Sequence, residues 1–252
     1  MIKNDNIINV RNLTIRYGNL TVLKNVSFDI NKGEIFVIVG GSGCGKSSLL
    51  RQLIGLEIPT EGDIFINGID FINSDNKQRN QILQKFGVMF QSGGLFASMT
   101  LAENIALVLE TYTQLSDDEI DDAIDIKLAS VGLKGFRDYY PAEISGGMKK
   151  RAAIARAMAL DPEILFFDEP SSGLDPLTSA ALDQLIIEIN RIFHKTIVIV
   201  THDLASILSI SHRIIMLDKN VKGILAEGTP DFLINYKENM NVFNFFNRKP
   251  LV

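Results

Sequence analysis

The chain has 252 residues, 46 % of them hydrophobic and 22 % charged, the proportions of an ordinary folded globular protein. Its formal charge of −5 at pH 7 speaks against nucleic acid as the main partner, because phosphate backbones require a basic footprint. A single cysteine, Cys44, excludes an intrachain disulfide framework and suits a reducing compartment.

The opening "MIKNDNIINV" lacks the apolar centre of a signal peptide. Later apolar runs are far shorter than the roughly 20 residues that cross a bilayer. If the protein works at a membrane, another chain is expected to supply the spans. Alternation in "IINVRNLTIRYG" and "TVLKNVSFDI" predicts an antiparallel hairpin turning at "GNL". "GEIFVIVG" is a continuous apolar strand that runs into a glycine-rich turn and the helix "KSSLLRQLIGL". A turn and further strand follow in "EIPTEGDIFINGIDF", then a short strand in "KFGVMFQ".

From about residue 92 to 160 the pattern becomes helical, in "TLAENIALVLETY", "SDDEIDDAIDIKLASVG" and "SGGMKKRAAIARAMAL". The acidic helix reads as a solvated face with an N-cap at Ser116. Strand and helix alternate again through "EILFFDEP", "LTSAALDQLIIEINRIF", "KTIVIVTHD" and "SHRIIMLD". "VKGILAEGTPDFLINY" adds a strand and a short helix entered at Gly-Thr-Pro. These elements predict an α/β core with a mostly parallel sheet, an N-terminal antiparallel β subdomain and an inserted α-helical subdomain over about 92–160. One domain over 1–239 and a tail over 240–252 are expected.

Chemistry concentrates in a few places. "GGSGCGKS", Gly40, Gly41, Ser42, Gly43, Cys44, Gly45, Lys46 and Ser47, has the phosphate-loop spacing between a buried strand and a helix, the context that motif requires. Its glycines let backbone N–H groups turn towards phosphates at a helix N-terminus, which Ser48 extends. Lys46 would reach the β- and γ-phosphates and Ser47 would hold Mg²⁺. "ILFFDEP" ends a buried strand with Asp168, suited to the metal shell, and Glu169, suited to a base that activates water. His202 ends another buried strand, and Gln91 ends "GVMFQ", where it could bond to Mg²⁺ or water. His194 and His212 are expected to be structural.

"ISGGMKKR" opens a helix with a serine, two glycines and three cations, Lys149, Lys150 and Arg151. Cations there oppose the helix dipole, whereas Ser145, Gly146 and Gly147 make an anion site. With one phosphate loop already present, the economical reading is that this second site grips a phosphate held by another copy in a two-fold dimer. The cations then either gain from that phosphate or point to solvent.

With these motifs in this order, the sequence resembles the nucleotide-binding subunits of ABC transporters from about Ile7 to Tyr236. Tyr17 in "RYG" looks like the adenine-stacking aromatic, Gly40–Ser47 Walker A, Gln91 the Q-loop and "ISGGM" the signature. "ILFFDE" looks like Walker B, "SGLD" the D-loop and His202 the switch histidine. The resemblance implies ATP and Mg²⁺ as cofactors, a homodimer closed through ATP, and an integral-membrane permease driven by closure and reopening.

The signature departs from the usual LSGGQ at Ile144 and Met148. The first is a mild apolar exchange, and the second removes a polar side chain near the partner's nucleotide. "SGGMKKRAAIARAMALDPEILFFDEPSSGLDP" and "FQSGGLFASMTLAENIAL" are similar to the ATPases of Mla-type lipid transporters, which work with MCE proteins. That implies phospholipid moved between inner and outer membranes, with this subunit on the cytoplasmic face of a bacterial inner membrane. Another small-molecule cargo, or a soluble ABC ATPase acting on ribosomes or DNA, are the alternatives. The aromatic tail, with Phe243, Phe245 and Phe246, either folds back on its own chain or packs on a neighbouring copy.

Overall fold

The structure, a computed structural model, describes residues 6–249. The first five residues of the expected 1–239 domain and the last three of the expected tail lie outside the described residues. The described residues divide into two compact units, one formed by residues 6–82 and 196–249, the other by residues 83–195.

In the first unit, β1 (Asn6–Tyr17) and β2 (Leu20–Asn31) pair antiparallel, as the alternation predicts, with Leu13 opposite Val26 and Ile15 opposite Leu23. All six residues of β3 (Ile35–Gly40) are buried. Helix α1 (Lys46–Leu53) follows and buries Leu49, Leu50 and Leu53. Strands β4 (Glu61–Ile66) and β5 (Ile69–Asp70) complete an antiparallel sheet of order β2-β1-β4-β5. The next helix, α2 (Asn76–Leu83), is one the sequence reading missed. It buries only Ile82, so it carries no apolar stripe to betray it.

The second unit begins with β6 (Phe86–Met89). Helix α3 (Leu101–Tyr112) starts at a capping box between Thr100 and Glu103, and α4 (Asp117–Ser130) at one between Ser116 and Glu119. Asp121 and Asp125 of α4 reach the fork of Arg137 at 2.7 and 3.1 Å, so part of the acidic face is paired, at the modest worth of a surface ion pair. A single 3₁₀ turn at Pro141–Glu143 leads to α5 (Gly146–Ala157). Strand β7 (Ile164–Asp168) runs parallel to β6, with Phe86 opposite Ile164 and Met89 opposite Phe167, and α6 (Pro176–Phe193) follows.

The chain then returns to the first unit. Strand β8 (Thr196–Val200) lies parallel to β3, as does β9 (Arg213–Asp218) on the other side. Between them α7 (Leu204–Ile210) is capped by Asp203. Strand β10 (Gly223–Gly228) is antiparallel to β9, and α8 (Pro230–Ile234) is capped by Thr229. The tail forms a helix, α9 (Met240–Phe246), which buries Val242, Asn244 and Phe246. Asn247 bonds from its amide to the carbonyl of Ile234 at the end of α8, 2.9 Å away. The described part of the tail therefore folds back on its own chain, one of its two expected arrangements. Among the described residues no helix is long and apolar enough to cross a membrane.

Candidate functional site

The sequence-predicted residues divide between the two units. Tyr17, Gly40–Ser48 and His202 belong to the first, and Gln91, Ser145–Gly147, Asp168 and Glu169 to the second.

In the first unit the buried strand β3 delivers Gly40 to the mouth of a loop. Gly40 has φ +146°, and a Cβ there would collide with the carbonyl oxygen of Leu217 and lie 2.6 Å from Cys44 Sγ. Only glycine fits so close to β9 in that conformation. Gly41, Ser42, Gly43 and Ser47 are exposed, whereas Cys44 is buried at 2 % exposure. Gly45 caps α1 without any side-chain hydrogen bond, so the first-turn N–H groups have no side-chain acceptor and remain donors for an anion. The Lys46 ammonium donates to the carbonyls of Gly40 and Gly41 at 2.8 and 3.2 Å. An ammonium held by main-chain carbonyls, bare N–H groups and the exposed Ser47 fit a polyphosphate with its Mg²⁺.

The Tyr17 hydroxyl donates to Glu57, which also accepts from Gln52 Nε2 at 3.1 Å. Tying down the hydroxyl while 44 % of the residue stays exposed leaves the ring as a platform. His202 is exposed after β8, next to Thr201, whose hydroxyl oxygen accepts from the N–H of Asp203 at 3.1 Å. His212 Nδ1 accepts from the N–H of Ile35 at 3.2 Å, and His194 ends α6 with φ +51°.

In the second unit, β7 is buried throughout its apolar run and presents half-buried Asp168 and Glu169 at its end. Glu169 has φ +48°, a left-handed conformation that costs a non-glycine residue energy and persists only where the surrounding structure holds it. Ser145 caps α5 by accepting from the N–H of Met148 at 3.3 Å. The second glycine of the signature is there for packing: a Cβ on Gly147 would come within 2.5 Å of Thr178 Cγ2. Ser145 and Gly146 are exposed at the helix N-terminus, as an anion site requires.

The cations of α5 do something the sequence did not show. Lys150 is buried at 8 % exposure and donates to the carbonyl of Gln91 at 2.6 Å. Burial pushes its pKa below the usual lysine value, with the negative charges of Glu169 and then Asp168 working against that shift. Arg151 reaches the carbonyls of Val131 and Ala181 at 3.2 and 3.5 Å. Neither matches the expected choice between a partner's phosphate and open solvent. Gln91 itself is exposed. Among the described residues no group of three or more histidine, cysteine, aspartate or glutamate side chains could hold a metal ion alone.

A protein-family model described as "ABC transporter" matches residues 23–172. An intermembrane phospholipid transport system ATP-binding protein of Haemophilus influenzae is 36 % identical over 243 residues, covering 96 % of this chain and 90 % of that one. A probable ribonucleotide transport ATP-binding protein of Mycobacterium leprae is 47 % identical over 196 residues, or 78 % of this chain; the match spans only 56 % of that relative's length. The solved dimer of an ATP-binding cassette in a post-hydrolysis state, bound to ADP and Pi, aligns with TM-score 0.79 and 33 % identity, over 88 % of this chain and 98 % of that one.

Proposed function

This chain belongs to the ABC transporter family as an ATPase subunit, and from that membership we propose the roles of its residues, its cargo and its partners. Residues 1–239 are one ABC ATPase domain with the helical subdomain of about 92–160 inserted, followed by the tail 240–252. ATP supplies the bond whose hydrolysis drives the cycle, and Mg²⁺ neutralises charge on its phosphates. The backbone of Gly40–Gly45 and the N-terminus of α1, with Ser48, cradle those phosphates. Lys46 exchanges the carbonyls of Gly40 and Gly41 for phosphate oxygens. Ser47, Gln91 and Asp168 hold the ion, and Tyr17 stacks on the base.

Glu169 orients the attacking water and takes its proton on the side-chain carboxylate, with His202 steadying the reacting phosphate. Removing such a base costs about 10²- to 10⁴-fold in rate. Ser145, Gly146 and Gly147 hold the phosphate bound by a second copy, so that two chains close head to tail over two ATP molecules.

The cargo we propose is phospholipid carried between inner and outer membranes, with the subunit lying against the cytoplasmic face of a bacterial inner membrane. A separate permease supplies the membrane spans, and an MCE-domain protein joins the complex; nucleic acid is not a partner. The observation that carries this reading is the 36 % identity to the phospholipid transport protein over nearly the whole of both chains. Exposed Phe90 and Phe96, on either side of Gln91, offer apolar surface to a permease. The relatives of ribonucleotide-transport name keep another small-molecule cargo as the second reading.

Tagged Glu169→Gln protein, purified with ATP and Mg²⁺ from detergent-solubilised native membranes, tests the cargo. A multi-span permease with a single-span MCE protein is the expected company. A permease with a soluble substrate-binding protein would overturn the lipid reading, and ribosomal proteins or DNA without a membrane partner would overturn the transporter reading.

A further inference from the structure

Helix α5 carries exposed Ser145 and Gly146 at its N-terminal end, and two of its cations, buried Lys150 and half-buried Arg156, fasten a different loop. Strand β6 leads into that loop and lies directly under α5: a Cβ on Gly87 would collide with the carbonyl oxygen of Ala157. Beyond the strand, Lys150 donates to the carbonyl of Gln91 at 2.6 Å and Arg156 donates to the carbonyl of Gly94 at 2.8 Å. The Arg156 guanidinium also sits over the Phe96 ring, 5.1 Å from its centroid. The far end of the loop is held by buried Asn104, which exchanges hydrogen bonds with both backbone groups of Phe96 and donates to the carbonyls of Met99 and Thr100.

Buried Lys150 and half-buried Arg156 thus spend their hydrogen bonds on main-chain carbonyls; the charges of Glu169 and Asp168 offset part of the desolvation at Lys150, and Arg156 Nε is buried with no hydrogen-bond partner. Desolvating charge for neutral acceptors is a costly way to pack a helix. It is economical if the position of the loop matters.

We propose that Lys150 and Arg156 are positioning residues that lock the loop bearing Gln91 to helix α5, so that the Gln91 side chain and the Ser145–Gly147 end move as one piece. The proposal rests on the ATPase reading for the roles of those two ends. It assigns to the helix the transmission of a phosphate's arrival at its N-terminus to the glutamine.

The test compares Lys150→Met, Lys150→Arg and Arg156→Met with the unsubstituted chain by amide hydrogen exchange and by ATPase kinetics. Lys150→Met should raise exchange across residues 91–96 by roughly ten-fold or more, leaving residues 101–112 unchanged. Its kcat should fall by roughly ten- to hundred-fold, as for a misplaced catalytic group, while KM for ATP holds because the phosphate loop is untouched. Lys150→Arg, which keeps a cationic donor, should restore both, and Arg156→Met should loosen residues 93–96 even if Lys150→Met does not fold. Unchanged exchange at 91–96 in both methionine variants, or failure of Lys150→Arg to restore it, would overturn the lock. Exchange needs no turnover, so the lock is decided even if the chain alone is silent; ATP binding by the unsubstituted chain, measured in the same samples, tests the ATPase reading separately.

Discussion

Gly147 packs against Thr178 so closely that a methyl group on the glycine would lie 2.5 Å from the threonine Cγ2. The threonine cannot simply turn aside, because its hydroxyl donates to Asp175 at 2.5 Å, and Asp175 caps α6 through the N–H groups of Leu177 and Thr178. Gly147→Ala should therefore destabilise the chain by about 1–3 kcal/mol in urea unfolding, the usual cost of overpacking. That outcome opposes helix propensity, which favours alanine over glycine by about 1 kcal/mol. Gly147→Ala with Thr178→Ser, which removes the methyl and keeps the hydroxyl, should recover most of the loss.

Arg213 ties the base of β3 to the end of the hairpin. Its Nε and NH2 donate to the two carboxylate oxygens of Glu34 at 2.8 and 3.1 Å, and NH1 donates to Glu227 at 2.7 Å. Burial works against the guanidinium charge, but Glu34, Asp29 and Glu227 overcome it and raise its pKa. Glu34 is only 7 % exposed, so Arg213→Met leaves a buried carboxylate without its cationic partner, with only the Asn31 donors remaining, and should cost about 3–5 kcal/mol. Arg213→Lys should recover only part, because an ammonium cannot span both oxygens. Equal thermal midpoints for Arg213→Met and the unsubstituted chain would contradict this.

Cys44 offers a reporter of the phosphate loop. Burial pushes its thiol pKa above the usual value, and Lys46 only partly offsets that. The thiolate is the reactive form, so alkylation at neutral pH should be slower than for an unfolded thiol. It should accelerate as pH rises beyond the ordinary thiol range. ATP on the loop should slow it further, and modification should block ATP binding. Equal rates with and without ATP would remove Cys44 from the nucleotide's surroundings.

The strand-and-loop context of the residues proposed to touch phosphate was legible because it is local. β3 and β7 announce themselves as unbroken apolar runs that end in the loop and in Asp168 and Glu169. Ser116 could be read as an N-cap from its place before the acidic helix, and the structure adds the reciprocal bond, from the Ser116 N–H to the Glu119 carboxylate. Lys150 and Arg156 were not legible. Their partners are carbonyls 59 and 62 positions away, and a backbone acceptor leaves no mark on the sequence. A run of cations on a helix, such as Lys149, Lys150 and Arg151, reads as solvated, and only burial shows otherwise. Helix α9 was hidden for a related reason: buried Asn244 interrupts the apolar pattern of "MNVFNFF", so its aromatics suggested contact without suggesting an element.

Sedimentation velocity of the Glu169→Gln protein, with and without ATP and Mg²⁺, tests the claim that nucleotide joins two copies. A nucleotide-dependent shift from monomer to dimer, abolished by Ser145→Arg in a protein that still binds ATP, is the predicted result. A protein that binds ATP and remains a monomer at every concentration, or whose dimer forms equally without ATP and survives Ser145→Arg, would contradict it.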